Sequence, residues 1–565
     1  MNNWILITNK KNRFNKLCYN TDNIYNQLHS NNTELFYLQN DNELVRNDQA
    51  FICSDDNIIV VDGIILNLQE LKTKYKADSV VELVNLMREK NVDFFTEFRG
   101  PFAGAYYSDK QKTLIAFGNQ TGDMPLFYLD NVDVFAVSND LNMVVSFMKQ
   151  NALAYHLNED AEREVLTYGF MLEDNTPILE IKMLLPGYKV IVYEEHCIIE
   201  QYHKFEFKDH DNITLDQSIE TLDCFFRKAI KRCFDKDLEY QYNNHLVDIS
   251  AGLDSRMVNW VAKDMGYKNI VNISYSQCPS QEHTIASKIS EYLGNSLYYK
   301  QLNDADFIYD LDEIIKMNYG MAIYSGITGG KRLLEMCNHN LFGLEHTGQL
   351  GDVVVGNYSG KDKHSEIDLN AGKWSNFIEY SVSESLKHKY CNEEEFLFYT
   401  RGFRGILSTH LIRRHYYYAV SPFLDIDLME ACFCIPMVYR SNHKLYWSWV
   451  EKKYPDAGNL PSTRKQINYF QKLYRRTKNR IQRECSRILH RTYAPYENMN
   501  PFDYWYSNNH SIQKYITDYY FNNKYLLKEY DGLLCDVEKL FLNGSCEEKL
   551  QALTVLGTLK QYFCI

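Results

Sequence analysis

The sequence predicts an α+β and α/β protein of two domains, a β-rich sandwich followed by a domain built on a parallel sheet, with a helical C-terminal part. Short alternating strands dominate the first part, whereas long amphipathic helices around a few strands follow from Asp216. A strand, a small-residue loop and a helix succeed one another at 246–265, and a second strand and helix follow at 270–293. The expected regions are 1–205, 206–470 and a helical extension at 471–565.

The first region carries the signals of antiparallel strands. Residues 101–107 and 113–117 flank the polar turn DKQK, a pattern that predicts a hairpin. Residues 58–67 (IIVVDGIILN) predict a strand, a turn and a second strand. A run of such strands that ends near Tyr202 favours a sandwich. Further strands are expected at 125–128 and 132–138, and a helix at 79–87.

The central motif of the second region is residues 245–256, HLVDISAGLDSR. Its strand–loop–helix order directs backbone N–H groups and a helix N-terminus at an anion, and Gly252 permits close backbone approach. Ser250 and Ser255 add hydroxyl donors. Asp254 would repel a phosphate directly, but it suits a site in which Mg²⁺ lies between carboxylate and phosphate. The motif therefore predicts either a Mg²⁺-dependent phosphate site or an ordinary strand–turn–helix with a serine N-cap.

Composition excludes several classes of partner. The 565 residues carry a net charge of −13, which argues against a general nucleic-acid or membrane-surface role because both attract basic patches. The 14 cysteines form no C-x-x-C pair, so a structural zinc is not expected. No secretory leader or membrane-spanning run is visible, which favours a cytoplasmic protein with free thiols.

Seven stretches, in the same order as in the family, resemble the asparagine synthetases. In the first region the similar segments are 62–71 (DGIILNLQEL, compared with N-G-E-I-Y-N-x-x-E-L), 99–106 (RGPFAGAY, compared with G-x-F-A-F-A-L) and 118–128 (GNQTGDMPLFY, compared with R-D-x-x-G-x-x-P-L-Y-Y). In the second they are 250–255 (SAGLDS, compared with S-G-G-x-D-S), 347–356 (TGQLGDVVVG, compared with S-G-x-G-A-D-E-x-x-G), 421–425 (SPFLD) and 460–465 (compared with L-P … R-x-K).

The resemblance implies a fold and a reaction. The first region would be an N-terminal-nucleophile-hydrolase-like sandwich with αββα layers, and the second an ATP-pyrophosphatase domain. ATP would adenylate a carboxylate, pyrophosphate would leave with Mg²⁺, and an amine would displace AMP to form an amide. The implied cofactors are ATP and Mg²⁺. The implied partners are a small-molecule or peptide carboxylate and an amine, and a homodimer is compatible with the sequence.

The same resemblance implies the roles of individual residues. Asp254 and Asp352 would bind Mg²⁺, although Val353 replaces a Glu that the family often has. Lys465 would stabilise charge in the transition state, the alternative being a solvated surface lysine. The expected ATP and pyrophosphate contacts are Ile249, Ser250, Gly252, Leu253, Asp254, Ser255, Ile273, Thr347 and Gly348.

Two further acidic residues have simpler interpretations. Glu282 is interpreted as an acid that is favourable near a helix N-terminus. Asp425, in the SPFLD segment, is interpreted as a cap or turn residue.

The first region departs from the family at its glutamine site. A working glutaminase of this kind needs a Cys directly after the initiator Met, and this chain has Asn2. Asp62 stands where the family's Asn donates to the oxyanion, and Ile64 where its Glu contacts glutamine, while Gly63 is kept. Asp78 matches the Asp that pairs with glutamine's ammonium, but a helix N-cap is the preferred interpretation. We therefore predict a vestigial site, no glutamine hydrolysis and a scaffold role.

Three functions remain open at this stage. The first is an asparagine-synthetase-like ligase that acts on aspartate with free ammonia. The second is a peptide- or metabolite-tailoring amide synthetase, similar to the β-lactam and lasso-peptide macrolactam synthetases, in which the substrate carries its own amine. The third is a non-catalytic, degenerate synthetase.

Overall fold

The computed structural model describes most of the chain. The described residues are 2–10, 26–30, 32–38, 45–54, 57–90, 93–207, 212–327, 330–356, 358, 366–378, 380–461 and 496–564. Lys465, the predicted catalytic lysine, lies outside them, and so does the boundary predicted between residues 470 and 471. The three-region division therefore stays a prediction.

Two six-stranded antiparallel sheets form the N-terminal part, as the sandwich prediction required. The strands are β1 Asn3–Asn9, β2 Asn26–Ser30, β3 Thr33–Leu38, β4 Ala50–Ser54, β5 Asn57–Gly63, β6 Phe102–Ser108, β7 Thr113–Gly118, β8 Phe127–Asp130, β9 Val134–Ser138, β10 Ile181–Met183, β11 Tyr188–Tyr193 and β12 His196–Gln201. The first sheet has the strand order β10-β8-β9-β1-β3-β2 and the second the order β12-β11-β7-β6-β5-β4.

The two sheets and the helices that cover them form four layers, and alternate side chains of each strand face the two sides of its sheet. In β1, Trp4 and Leu6 face the second sheet and share a core with Ile58 and Val60 of β5. The intervening residues face outwards, where helices cover them. Helices Leu141–Gln150 and Glu159–Tyr168 cover the first sheet, and helices Leu68–Tyr75 and Val80–Glu89 cover the second. The helix–sheet–sheet–helix order agrees with the layers implied by the sequence resemblance.

One sequence prediction in this region is wrong. Residues 64–67 were expected to form a second strand, but β5 ends at Gly63 and the helix Leu68–Tyr75 follows. Ile64 and Ile65 are both fully buried, and each enters a different apolar core. Their apolar character therefore reflects a buried turn between two cores and not a second strand.

A five-stranded parallel sheet forms the centre of the second part, in the order β15-β14-β13-β16-β17. The predicted strands near 246 and 270 are confirmed, and so are the helices that follow them. Because all five strands run in one direction, their carboxyl ends meet at one edge. The strands are β13 Asn244–Asp248, β14 Ile270–Ser276, β15 Ser296–Gln301, β16 Phe342–His346 and β17 Tyr418–Val420.

In the described part of the chain, α-helices cover the sandwich, surround the parallel sheet and form the C-terminal part. Numbered along the chain, the α-helices are α1 Leu68–Tyr75, α2 Val80–Glu89, α3 Leu141–Gln150, α4 Glu159–Tyr168, α5 Leu215–Glu239, α6 Asp254–Asp264, α7 Gln281–Leu293, α8 Leu311–Asn318, α9 Gly330–Met336, α10 Gly351–Val355, α11 Glu393–Leu397, α12 Thr409–Arg413, α13 Ile426–Phe433, α14 Met437–Arg440, α15 Lys444–Lys453, α16 Pro455–Asn459, α17 Phe502–Asn508, α18 His510–Asn523, α19 Asp531–Asn543 and α20 Cys546–Phe563.

Buried polar contacts join the two parts of the chain. The Lys236 ammonium of α5 lies 2.8 Å from the Asp48 carboxylate, and neither side chain is exposed. Gln49 donates a hydrogen bond to the hydroxyl of Tyr418 on β17. Arg232 binds Glu70 of α1. A buried charge that loses its partner is costly, so these contacts hold the parallel sheet in one position against the sandwich.

Within the described residues, none of the helices has the length and apolar character needed to cross a bilayer. The described cysteines are free thiols, as the sequence predicted.

Candidate functional site

A cavity of about 200 Å³ opens at the carboxyl edge of the parallel sheet. It brings together six of the nine residues predicted to contact ATP, which are Ile249, Ser250, Asp254, Ser255, Ile273 and Gly348. The remaining lining residues were not predicted as binding residues: Asp248, Ser274, Tyr275, Glu282, Gln349 and Met499. Strand order explains the convergence, because β13, β14 and β16 are neighbours whose ends meet here.

The loop after β13 is closed by its own side chains. The Ser250 N–H donates to Ser255 Oγ (2.9 Å), and the Gly252 N–H donates to Ser250 Oγ (3.1 Å). The Ala251 N–H donates to a carboxylate oxygen of Glu282 at 2.8 Å. Three successive amides therefore donate to side-chain oxygens, and these hydrogen bonds hold the loop in one conformation beside the cavity.

Glu282 has two structural roles, one at the helix N-terminus and one as an acceptor for the loop. It does lie in the first turn of α7, as predicted, but its carboxylate also contacts the loop. Burial raises the pKa of this carboxyl, and the hydrogen bond from Ala251 opposes that shift. No pattern in the sequence indicates this contact, because the two residues lie on different elements.

The second predicted loop lies directly against the first. A Cβ atom at Gly348 would lie 2.4 Å from the Ser255 amide nitrogen and 2.7 Å from the Asp254 carbonyl carbon. Only a residue without a side chain fits this contact. Thr347 is buried one residue earlier, and its N–H donates to the Val420 carbonyl of β17. Thr347 therefore fixes the start of the loop and does not line the cavity.

Gly252 and Leu253 also lie outside the cavity lining. Gly252 forms the loop's backbone, and Leu253 is buried in the apolar core at the start of α6. Their contribution is to shape the loop.

The two predicted metal ligands lie at the same end of the sheet. Asp254 begins α6, and its carboxylate lies against the backbone of Gly351, where a Cβ would come within 2.8 Å of Oδ1. Asp352 is the next residue, half-buried in α10. Carboxylates are the protein ligands that Mg²⁺ prefers, so the donor set fits the expected ion.

A cluster of charges extends from Asp248 in the cavity lining into the interior. Arg413 of α12 forms ion pairs with Glu345 of β16 and with Asp248 of β13, whose carboxylate lies at 3.2 Å. Burial raises the pKa of Glu345 to about 8; Arg413 opposes this shift and the neighbouring Asp248 carboxylate adds to it. These residues share one face of the sheet, because Leu246, two positions before Asp248, is paired with Glu345.

His245 and His346 lie on the opposite face of the same strands, and with Asp237 of α5 they form the one group of three neighbouring metal-type ligands among the residues described. Both imidazoles bind Oδ2 of Asp237, at 2.7 and 2.6 Å, and the Leu344 N–H donates to Oδ1. Burial would raise the pKa of Asp237, but the two histidines lower it below its usual range. These hydrogen bonds account for the group without an ion.

The segment that leads to the predicted lysine is anchored beside the loop. Arg256, fully buried in α6, donates to the carbonyl oxygens of Ala457 and Pro461 at 2.9 and 2.5 Å. Burial lowers the pKa of Arg256 to about 10. Pro461 is the last described residue before the segment that contains Lys465, so the role of this lysine stays a prediction.

The C-terminal region contributes to the site as well. The Gln277 N–H donates to the Met499 carbonyl at 2.8 Å, and the indole N–H of Trp505 donates to the Gln277 side chain. These contacts hold Met499 against the cavity. No motif in the sequence of this region indicated such a role.

The predicted vestigial glutamine site is a buried polar network. The Asn2 carboxamide donates to Asp62 (2.9 Å) and to Gln49 (2.7 Å), and Asn139 donates to the other oxygen of Asp62 at 2.8 Å. Burial raises the pKa of Asp62, and the hydrogen bond from Asn2 is the largest opposing influence. Gly63 has φ +100°, and a Cβ there would meet the Pro101 carbonyl oxygen at 2.2 Å.

Asp78 is not part of this network. It is exposed, whereas Asp62 is fully buried. The preferred prediction that Asp78 caps the helix is wrong by one residue, because Ser79 is the N-cap and accepts the Glu82 N–H. The Asp78 N–H donates instead to the Glu82 side chain.

Comparison with known proteins identifies the first domain. Residues 43–203 match the family described as a glutamine amidotransferase domain. Among curated proteins, none has a sequence that matches this chain. The chain thus carries a glutamine amidotransferase-type domain ahead of a parallel-sheet region.

Two solved structures are similar. One is glutamine phosphoribosylpyrophosphate amidotransferase from B. subtilis complexed with ADP and GMP, with 9% identity, a TM-score of 0.24, and coverage of 53% of this chain and 84% of that one. The other is titled as the allosteric regulatory enzyme of purine biosynthesis, with the same identity and TM-score, and coverage of 53% and 74%.

Proposed function

We propose that the protein is an ATP-dependent amide-forming ligase of the asparagine synthetase type. It adenylates a carboxylate, releases pyrophosphate, and joins the activated acyl group to an amine with release of AMP. The observation that carries this proposal is the contact between the two predicted loops, in which the Gly348 backbone lies against Asp254 and Ser255 beside the cavity. Ligands of open α/β sheets bind at this edge.

The charges of the cavity support a cation-dependent nucleotide site. Asp248, Asp254 and Glu282 line it, and its lining, within the described part of the chain, includes no Lys or Arg. A triphosphate would be repelled by three carboxylates unless a cation offset their charge. Asp254 and Asp352 would hold Mg²⁺, which offsets the charge that develops on the leaving pyrophosphate.

The loop residues would bind and orient the nucleotide. Ser250 and Ser255 line the cavity, and their hydroxyls would donate to phosphate oxygens in exchange for the hydrogen bond that they make to each other. The Ile249 N–H donates to the Ile273 carbonyl, and this hydrogen bond fixes the two strand ends that would contact the nucleoside. Lys465 is proposed to stabilise charge in the transition state.

The nitrogen donor is proposed to come from elsewhere. The Asn2 carboxamide lies beside Asp62 and offers no thiol, and the Asp62 carboxylate would oppose an oxyanion. This network favours free ammonia or an amine that the substrate itself carries. The resemblance makes aspartate the first acid to test, and the second candidate is a peptide- or metabolite-tailoring amide synthetase.

Pyrophosphate release from MgATP tests the proposal. The purified chain is assayed with aspartate, other carboxylic acids and amine-bearing peptide acids. Asp254→Asn and Asp352→Asn are each expected to reduce release by at least about 100-fold, because each removes a charge from the metal site. Asp304→Asn, the same change at an exposed position, is the matched control. Full turnover by either site variant contradicts the metal assignment, and a wild-type protein that neither binds nor turns over ATP indicates a non-catalytic protein.

A further inference from the structure

Asp248 places a carboxylate on the side of the cavity that β13 and β14 form. It is the last residue of β13 and is paired in register with Ile273 of β14, so both side chains lie on one face of the sheet. Tyr275, two residues further along β14, lies on the same face, and all three line the cavity. The result is an apolar and aromatic surface that borders a hydrogen-bond acceptor.

The carboxylate is held in place from behind. Arg413, 5% exposed, lies 3.2 Å from Asp248 Oδ2 and also contacts the Tyr275 hydroxyl at 3.4 Å. The Asp248 side chain keeps 20% of its surface exposed. A partly buried charge at a strand end is costly, and Arg413 and the neighbouring Glu345 carboxyl still leave part of the Asp248 carboxylate open towards the cavity. The arrangement is an oriented acceptor with room for a ligand donor.

We propose that Asp248 is a specificity-determining residue of this site and accepts a hydrogen bond from the nucleoside of the bound nucleotide, an inference that rests on the proposed function. The donor is an amine of the base or a hydroxyl of the ribose, which share this chemistry. A planar base would place its apolar faces on Ile273 and Tyr275 while its polar groups reach Asp248. A small amine would leave the apolar surface of Ile273 and Tyr275 uncovered, so a nucleoside fits this lining better.

Nucleotide binding separates the two donors. The affinities of wild-type protein for the Mg²⁺ complexes of ATP, ITP, 2′-deoxy-ATP and 3′-deoxy-ATP are measured by isothermal titration calorimetry. ITP has an oxygen acceptor in place of the adenine amine, and each deoxy compound lacks one hydroxyl. The compound that lacks the recognised donor is expected to bind about 10- to 100-fold more weakly than ATP, the range for a hydrogen bond to a charged acceptor.

Variants assign the effect to the residue. In Asp248→Asn and Asp248→Ser, the analogue that wild-type protein binds weakly is expected to have a dissociation constant within about threefold of that of ATP. The reason is that the charged acceptor is gone. Asp304→Asn is expected to keep the wild-type ratio. Thermal melting confirms that each variant is folded, and if neither Asp248 variant folds, the residue serves structure and the inference is overturned.

The other outcomes are distinct from one another. Wild-type protein that binds all four nucleotides equally, or an Asp248 variant that keeps the discrimination, overturns the inference and leaves the proposed function standing. Wild-type protein that binds none of the nucleotides overturns both.

Discussion

Replacing Gly348 with alanine is expected to disable the nucleotide site while the fold persists. The new Cβ would lie 2.4 Å from the Ser255 amide nitrogen, whereas ordinary contacts begin at 3.4 Å. The neighbouring atoms are all backbone, so no side chain can rotate away, and the two loops must separate by about 1 Å. Overpacking of this kind costs about 1–3 kcal/mol of stability.

The larger effect is expected on binding and turnover. A displacement of about 1 Å in groups that position a reacting substrate can lower the rate by about 100-fold. The assays are calorimetric MgATP binding and pyrophosphate release, each compared with the melting temperature of the same preparation. The affinity for MgATP should fall by more than the loss of folding stability accounts for, because the distortion is centred on Asp254 and Ser255.

Gly118→Ala is the matched control. Gly118 ends β7, and its nearest neighbour to a new Cβ is the Leu184 side chain at 3.8 Å, an ordinary contact. This variant should bind MgATP as wild type does. If Gly348→Ala binds and turns over within about twofold of wild type, the loop-to-loop contact does not define the site and the argument from close approach fails.

Two further predictions concern the buried polar groups. Purified protein supplied with glutamine is expected to release no glutamate at an enzyme-like rate, because Asn2 has no thiol and Asp62 lies beside it; rapid release would show that the first domain is an active glutaminase. The variant Glu345→Gln tests the raised pKa of the Glu345 carboxyl. Its pKa is about 8 in the folded protein against an ordinary value of 4.5, so the folded state favours the protonated form. The stability that this proton contributes is complete below the unfolded-state value and is lost as the pH rises towards 8. The unfolding free energy of wild type should therefore fall relative to that of Glu345→Gln between pH 5 and pH 9, measured by denaturant titration, whereas parallel profiles would contradict the shift.

The pattern of neighbouring residues was sufficient to predict a structural element whose formation depends only on those residues. The small residues after β13 and the apolar spacing of 257–265 predicted a strand, a loop and a helix, because these features act over a few residues. The same logic failed at Ile64 and Ile65. Both are apolar, and apolar character alone does not distinguish a strand from a turn that is buried between two cores.

Contacts between elements could not be predicted in this way. Glu282 was expected only to favour a helix N-terminus, and its bond to Ala251 depends on how α7 lies against the loop. Met499 reaches the cavity from a region that carries no motif. Asp248 lies between a predicted strand and a predicted loop. Its ion pair with Arg413 joins residues 165 positions apart, so no local pattern indicated it.

The sequence by itself determined the elements, the two loops and the absence of a thiol at residue 2, because each depends on neighbouring residues and their chemistry. Only the tertiary structure decided that Gly348 lies against Asp254 and Ser255, and that Asp62 is enclosed by Asn2 and Asn139. The physical reason is the sheet: its strand order brings distant chain segments to one edge, and close packing there admits only certain side chains.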